Sequence, residues 1–199
     1  MNPAFLYLAV EGDVDEAVLR RIFVEVGATP VAVYGKSGKD NLTQRLPAYN
    51  AAARFWPWVV VRDLNHDAQC APELAAKILP NPSERMCFRV AVHEIEAWLM
   101  ADNERIAQYL GIPRDEVPPN PDGDPNPKER VVALASGSRF RRIREEMTPR
   151  PGAGRVIGPA YNSRLIEFAR SHWRPEFAAQ NSPSLRKCLS RVRALTEGP

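Results

Sequence analysis

The stretch Trp58-Val-Val-Val-Arg-Asp-Leu-Asn-His-Asp67 decides how this chain folds. Its first four residues are bulky or β-branched without polar alternation, the pattern of a strand buried on both faces of a sheet. The chain then leaves the sheet in a cluster of charged and amide side chains from Arg62 to Asp67. Ligands of open parallel sheets bind beyond the carboxyl ends of the strands, and Asp63, Asn65 and Asp67 are hard oxygen donors suited to Mg²⁺ or Mn²⁺. The same residue types also turn a chain and cap helices. The stretch alone leaves both readings open.

Upstream, Phe5-Leu-Tyr-Leu-Ala-Val10 is a second apolar run, ending at Glu11-Gly12. Asp13 and Glu16 have capping-box spacing, and Val14, Ala17, Val18, Ile22 and Val26 recur at helical intervals, so strand, acidic turn and helix follow in order. Pro30 to Tyr34 reads as a third strand, closed by Gly35-Lys36-Ser-Gly-Lys39 and a helix through Leu42, Leu46 and Tyr49. That turn is not a phosphate-binding P-loop, because GxxxxGK[ST] is absent, but Lys36 and Lys39 are placed where they can meet a phosphate. Downstream, Pro72 to Leu79 is a short helix and Met86 to Val92 a fourth strand, which runs into His93-Glu-Ile-Glu-Ala-Trp-Leu-Met-Ala-Asp102. Ile95, Trp98, Leu99, Ile106 and Leu110 have helical spacing, which puts Glu94 and Glu96 in the first turn of a helix, again at a strand's end.

The order βαβαβαβα with short connections predicts a mainly parallel four-stranded sheet with helices on its faces. Residues 113–127 carry six prolines among Asn, Asp and Gly and read as a linker or long surface loop between an α/β part, 1–112, and a helical extension, 128–199. Helical pieces are expected at 129–135, 139–147, 161–173 and 184–195. The net charge of +3 hides a division: residues 1–127 hold 12 Lys+Arg against 18 Asp+Glu, whereas 128–199 hold 15 against 6. An acidic part attracts divalent cations and a basic part attracts polyanions, which fits metal-assisted chemistry on a phosphate backbone; mutual attraction of the two parts is the plainer alternative. Arg139, Arg141, Arg142 and Arg144 are the densest basic cluster and the expected nucleic-acid contacts. They would bind phosphates without reading sequence.

No run approaches the ~20 apolar residues of a membrane span, and the first residues have no basic start or cleavage site. The expectation is a cytoplasmic protein with no membrane partner. Cys70, Cys87 and Cys188 form no CxxC pair, so reduced thiols are expected. His66 with Cys70 lacks partners for zinc, His66 and His93 are candidate acid/base groups although a lone His near a strand end is more often a hydrogen-bonded bystander, and no glycine fingerprint supports a dinucleotide site.

Val10-Glu11-Gly12, Gly35-Lys36, Arg62-Asp63-Leu64-Asn65 and Glu94-Ile95-Glu96-Ala97-Trp98-Leu99-Met100-Ala101-Asp102 together resemble the Toprim domain of topoisomerases, primases and nucleases of the overcoming-lysogenization-defect type. The tighter likeness is to small bacterial Toprim-like proteins of unknown function, and it covers about residues 5–112. The resemblance implies a Toprim-like, Rossmann-like α/β fold with a helical C-terminal extension. It implies Glu11 as general acid or base or metal ligand and Asp63 as metal ligand. It further implies Mg²⁺ or Mn²⁺ as cofactor, nucleic acid as substrate, and an effector of a defence or mobile-element system working with a partner ATPase. Asn65 stands where Toprim enzymes usually carry a second Asp, so the missing charge would have to come from Asp67, Glu94 or Glu96. Lys36 or Lys39 would offset charge on the phosphate oxygens. The expected function is therefore a Mg²⁺-dependent nuclease or related phosphodiester-processing enzyme. The alternative is a catalytically silent Toprim-like binding or regulatory module.

Overall fold

In a computed structural model, which describes residues 4–152 and 154–197, four parallel strands form one sheet in the order β2-β1-β3-β4. The strands are β1 (Ala4–Val10), β2 (Ala28–Gly35), β3 (Trp58–Asp63) and β4 (Met86–Ala91). β3 is central and buried at every residue, as its unbroken apolar run requires. Alternate residues of the strands feed two hydrophobic cores. Val59, Val61, Cys87 and Ala91 face α1 (Asp13–Glu25) and the C-terminal helices. Val60, Phe88 and Val90 face α2 (Gly38–Ala52) and α3 (Ala71–Ile78), with Trp58 stacked between Tyr7 and Tyr49.

After β4 the chain forms α4 (Glu96–Met100) and α5 (Asn103–Leu110) rather than one continuous helix. The break is tertiary in origin. Asp102, buried, caps α5 by accepting from the Arg105 N–H, and its carboxylate also takes the Arg174 backbone N–H at 3.0 Å and that guanidinium at 2.7 and 2.9 Å. Gly111 ends α5 in the left-handed conformation, with Phe140 packed where a side chain would project. The expected capping box is not formed either. Asp13 lies inside α1, and Glu16 pairs with Arg20 and Lys36 instead of reaching back to the helix start.

The proline-rich stretch is a strap pinned along the molecule. It contains two 3₁₀ turns, Arg114–Glu116 and Pro121–Gly123; Val117 and Pro121 are buried, and Asp122 accepts hydrogen bonds from Ser182 Oγ at 2.7 Å and Ser184 N at 3.0 Å. Among the described residues five helices follow: α6 (Pro127–Ser136), α7 (Arg141–Met147), α8 (Tyr161–Ser171), α9 (Pro175–Asn181) and α10 (Pro183–Thr196). Ser182 separates the last two and caps α10 by accepting from Leu185 N. Val131, Phe168, Trp173 and Val192 from these helices share one core with Leu8, Val18 and Trp98. The Trp98 indole donates to Ser184 Oγ, and that of Trp173 to the Trp98 carbonyl.

Cys87 and Cys188 are buried free thiols and Cys70 is exposed. Among the described residues no helix is long and apolar enough to cross a membrane.

Candidate acidic site at the carboxyl rim of the sheet

Four carboxylates gather where β1, β3 and β4 end. Glu11 follows β1, and its Oε1 accepts the Asp63 backbone N–H at 2.9 Å, which ties the two strand ends together. Asp63 is the last residue of β3 and is buried. Glu96 opens α4 and is buried, and Asp15 sits one turn into α1, buried at the head of a stripe continued by Leu19 and Ile22. One oxygen each of Asp15 and Asp63 is buried with no hydrogen-bond partner among the described residues.

Burial first, and then the neighbouring negative charges, hold these acids' protons on. Burial raises Asp63 well above the usual carboxylate range, and the negative charges of Asp15, Glu96 and Glu11 push the same way. Burial, then Glu11 and Glu96, pushes Asp15 up to about 7. Glu96 and Glu11 are raised as well, chiefly by burial. A buried carboxylate is ordinarily paired, so a group of this kind is short of positive charge.

Among the cations near it, Lys128 comes from beyond the strap. Lys128, at the start of α6, places Nζ 2.9 Å from Glu94 Oε1 and 3.7 Å from Glu96 Oε1, while its backbone N–H donates to Glu94 Oε2 at 2.8 Å. Burial would lower the Lys128 ammonium, but Glu96 and Glu94 outweigh it and hold it above its ordinary range. Tyr161, the first residue of α8, donates its hydroxyl to Glu96 Oε1 at 3.3 Å.

The remaining sequence-expected residues go elsewhere. Asp67 is taken by Lys39 at 2.9 Å and Arg62 at 2.5 Å, and its carboxyl is held low by those partners. Glu94 is taken by Lys128. Lys36 turns to α1 and pairs with Asp13 at 2.9 Å and Glu16 at 2.7 Å, whereas Lys39 stays at the rim within electrostatic reach of Glu11. Asn65 adopts a left-handed backbone, φ 48°, and donates its N–H to the His93 carbonyl at 2.8 Å. Asparagine tolerates that conformation better than most residues. Lys36 (φ 64°) and His93 (φ 61°) are also left-handed, so strained residues mark the exits of β2, β3 and β4 alike. His66 is exposed. Arg141 and Arg142 project from α7 and pair along the helix with Glu145 and Glu146, Arg139 lies over the Phe140 ring, and Arg144 folds back to the Ser138 carbonyl.

Sequence reasoning missed Asp15, Lys128 and Tyr161. Asp15 carried a signal: it stands four residues from Glu11 and heads the helix's apolar stripe. Lys128 and Tyr161 arrive through tertiary packing and carried none.

No group of three or more His, Cys, Asp or Glu side chains among the described residues is already arranged to hold a metal ion. The donor chemistry nevertheless fits a hard divalent cation: all-oxygen side chains, an anionic excess, and two buried carboxylate oxygens without partners. No family model, no curated protein and no solved structure matches this chain.

Proposed function

We propose that this chain is a Toprim-like, Mg²⁺- or Mn²⁺-dependent phosphodiester hydrolase acting on nucleic acid, with Glu11, Asp15, Asp63 and Glu96 as its metal-holding set. The observation that carries the proposal is the two buried oxygens of Asp15 and Asp63 that have no partner among the described residues, in a cluster whose protons are retained by burial and, after it, by the neighbouring carboxylates. A divalent ion, when bound, supplies Lewis-acid stabilisation of the phosphate charge and lowers the pKa of a bound water. The side chains supply the rest. Asp63, on the central strand, and Asp15, on α1, fix two donors on rigid elements. Glu11 is anchored through the Asp63 N–H and has its second oxygen left for a ligand or a proton. Lys39, partly exposed at the rim, sets positive charge suited to the non-bridging phosphate oxygens once it leaves Asp67, while the buried Arg62 stays on Asp67. In the reaction, water forms the new O–P bond, the ester O–P bond breaks, and the proton lost by water goes to a carboxylate as the leaving oxygen gains one.

A second reading, a catalytically silent module, is favoured by Lys128. Its ammonium stands against Glu94 and Glu96, an internal cation in place of an external one, and Asn65 brings no charge. Plasmid nicking with Mn²⁺, combined with melting curves, separates the two. The proposal expects nicking that EDTA abolishes, a Mn²⁺-dependent rise in melting temperature, and loss of both in Glu11→Ala and Asp63→Ala, the rate falling by about 10² or more. A wild-type protein whose melting temperature ignores Mn²⁺ and Mg²⁺ and which leaves plasmid intact is the silent module.

A further inference from the structure

A groove of about 970 Å³ opens on the side of the sheet away from β2, and nothing in the proposed chemistry uses it. Its floor is the outer edge of β4 at Phe88, Arg89 and Val90, one wall is the start of α3 at Ala71, Pro72 and Ala75, and the other is α10. β4 pairs only with β3 among the described strands. The ladder shows which groups point outward. Trp58 N donates to the Arg85 carbonyl and Leu64 N to the Ala91 carbonyl, so by the two-residue period the backbone of Cys87, Arg89 and Ala91 faces β3 and that of Phe88 and Val90 faces the groove. The Phe88 carbonyl is covered by Arg89's own guanidinium at 3.0 Å, a charged side chain blunting an open edge.

The two walls differ in chemistry. Phe88 and Val90 project toward α3, whose Ala71 and Ala75 are apolar and partly buried. Across from them, α10 lines the groove with Arg186, Lys187 and Arg191, to which β4 adds Arg89. Against these four cations the lining holds one carboxylate, Asp122, already engaged by Ser182 and Ser184. An aromatic stacking platform for nucleobases is missing, since Phe88, the groove's one aromatic among the described residues other than His93, is buried.

We propose that this groove binds an extended acidic peptide segment of a partner protein, added as a fifth strand on β4. A strand there would pair with the outward groups of Phe88 and Val90 after the Arg89 guanidinium swings aside. By strand periodicity it would set alternate side chains against α3 and α10, so its preferred sequence alternates apolar and acidic residues. The six residues of β4 span roughly 20 Å at ~3.3 Å per residue, the length of a hexapeptide. This inference is independent of the nuclease proposal.

The test is fluorescence anisotropy of the full chain with a labelled ten-residue peptide alternating Val and Glu. Controls are the same residues arranged as a Val block and a Glu block, a Val/Lys alternation, and a dT decamer. The alternating acidic peptide should bind, the block peptide about tenfold more weakly, and the Val/Lys peptide not at all. The double variant Arg186→Glu/Lys187→Glu, at exposed positions on α10, should lose about tenfold in affinity with an unchanged melting curve. Hydrogen exchange should slow at the Phe88 and Val90 amides when peptide is present. No binding, equal binding of the alternating and block peptides, or unchanged exchange at those two amides overturns the strand. Tighter binding of dT, lost in the same double variant, makes the groove a nucleic-acid site and likewise overturns it. Nicking activity plays no part in these readouts.

Discussion

Replacing Asp15 by Asn tests the electrostatics of the acidic site without removing its shape. In the folded protein the Asp15 carboxyl titrates at about 7, whereas in the unfolded chain an Asp titrates near ~3.9. Below pH ~4 both states carry the proton and nothing is lost. Between ~4 and ~7 the unfolded chain ionises while the native one does not, so stability falls with rising pH by up to about 1.4 kcal/mol per pH unit. Above ~7 the full cost is present, and a gap of about three pH units corresponds to about 4 kcal/mol. The amide carries no charge at any pH. The stability of wild type minus that of Asp15→Asn should therefore drop by about 4 kcal/mol between pH 4 and pH 8, or roughly 8–16 °C in melting temperature for a chain of this size. The assay is urea unfolding of both proteins with EDTA at half-unit pH steps. Taking the difference cancels the ion-paired carboxylates at Asp67, Asp124 and Glu146, which are held low and act in the opposite sense. Burial, and after it the Asp15 charge, raises Asp63 as well, so Asp63→Asn should share the sign. A difference flat from pH 4.5 to 8 would refute the burial and crowding of negative charge that raise Asp15 and on which the site is built.

Other perturbations reach the scaffold and the basic helix. Gly35→Ala places a Cβ 2.1 Å from the Val10 carbonyl oxygen at φ +90°, backbone against backbone, and should cost about 3 kcal/mol or more in chemical denaturation. Arg174→Ala leaves the buried Asp102 carboxylate without its guanidinium and should cost about 3 kcal/mol; Arg174→Lys should recover only part of that, because an ammonium cannot reproduce the two-pronged contact. The double variant Arg141→Glu/Arg142→Glu, at side chains 82% and 78% exposed, should leave melting unchanged. In a filter-binding salt titration it should weaken nucleic-acid affinity and reduce the log–log salt slope by about 2.

The sheet was legible because β1, β3 and β4 are apolar runs too short for helices and each stops at a polar turn, so the strands and the acidic residues at their ends come from one pattern, while the order in which the strands pair does not. Glu11 and Asp63 were legible for the same reason: each sits where its run ends. The choice between Glu94 and Glu96 was not. They are two residues apart at a helix start, and what separates them is Lys128, brought 34 residues along the chain by the strap. α9 escaped the periodicity because it is short and ends at Ser182, whose hydroxyl is shared between the α10 cap and Asp122. Asn65, read as a weakened ligand, has a conformational reason to be where it is.

Trp98 lies fully buried in an interior common to sheet and C-terminal helices, its indole N–H donating to Ser184 and its carbonyl accepting the Trp173 indole N–H. Recombination at the proline-rich seam, the place composition marks as a natural cut, would strip each product of lining that it cannot replace and would part Glu96 from Lys128 and Tyr161. The seam that looks separable by composition is crossed by a shared core, and the acidic rim keeps its Lys128 and Tyr161 contacts only when both sides of it are inherited together.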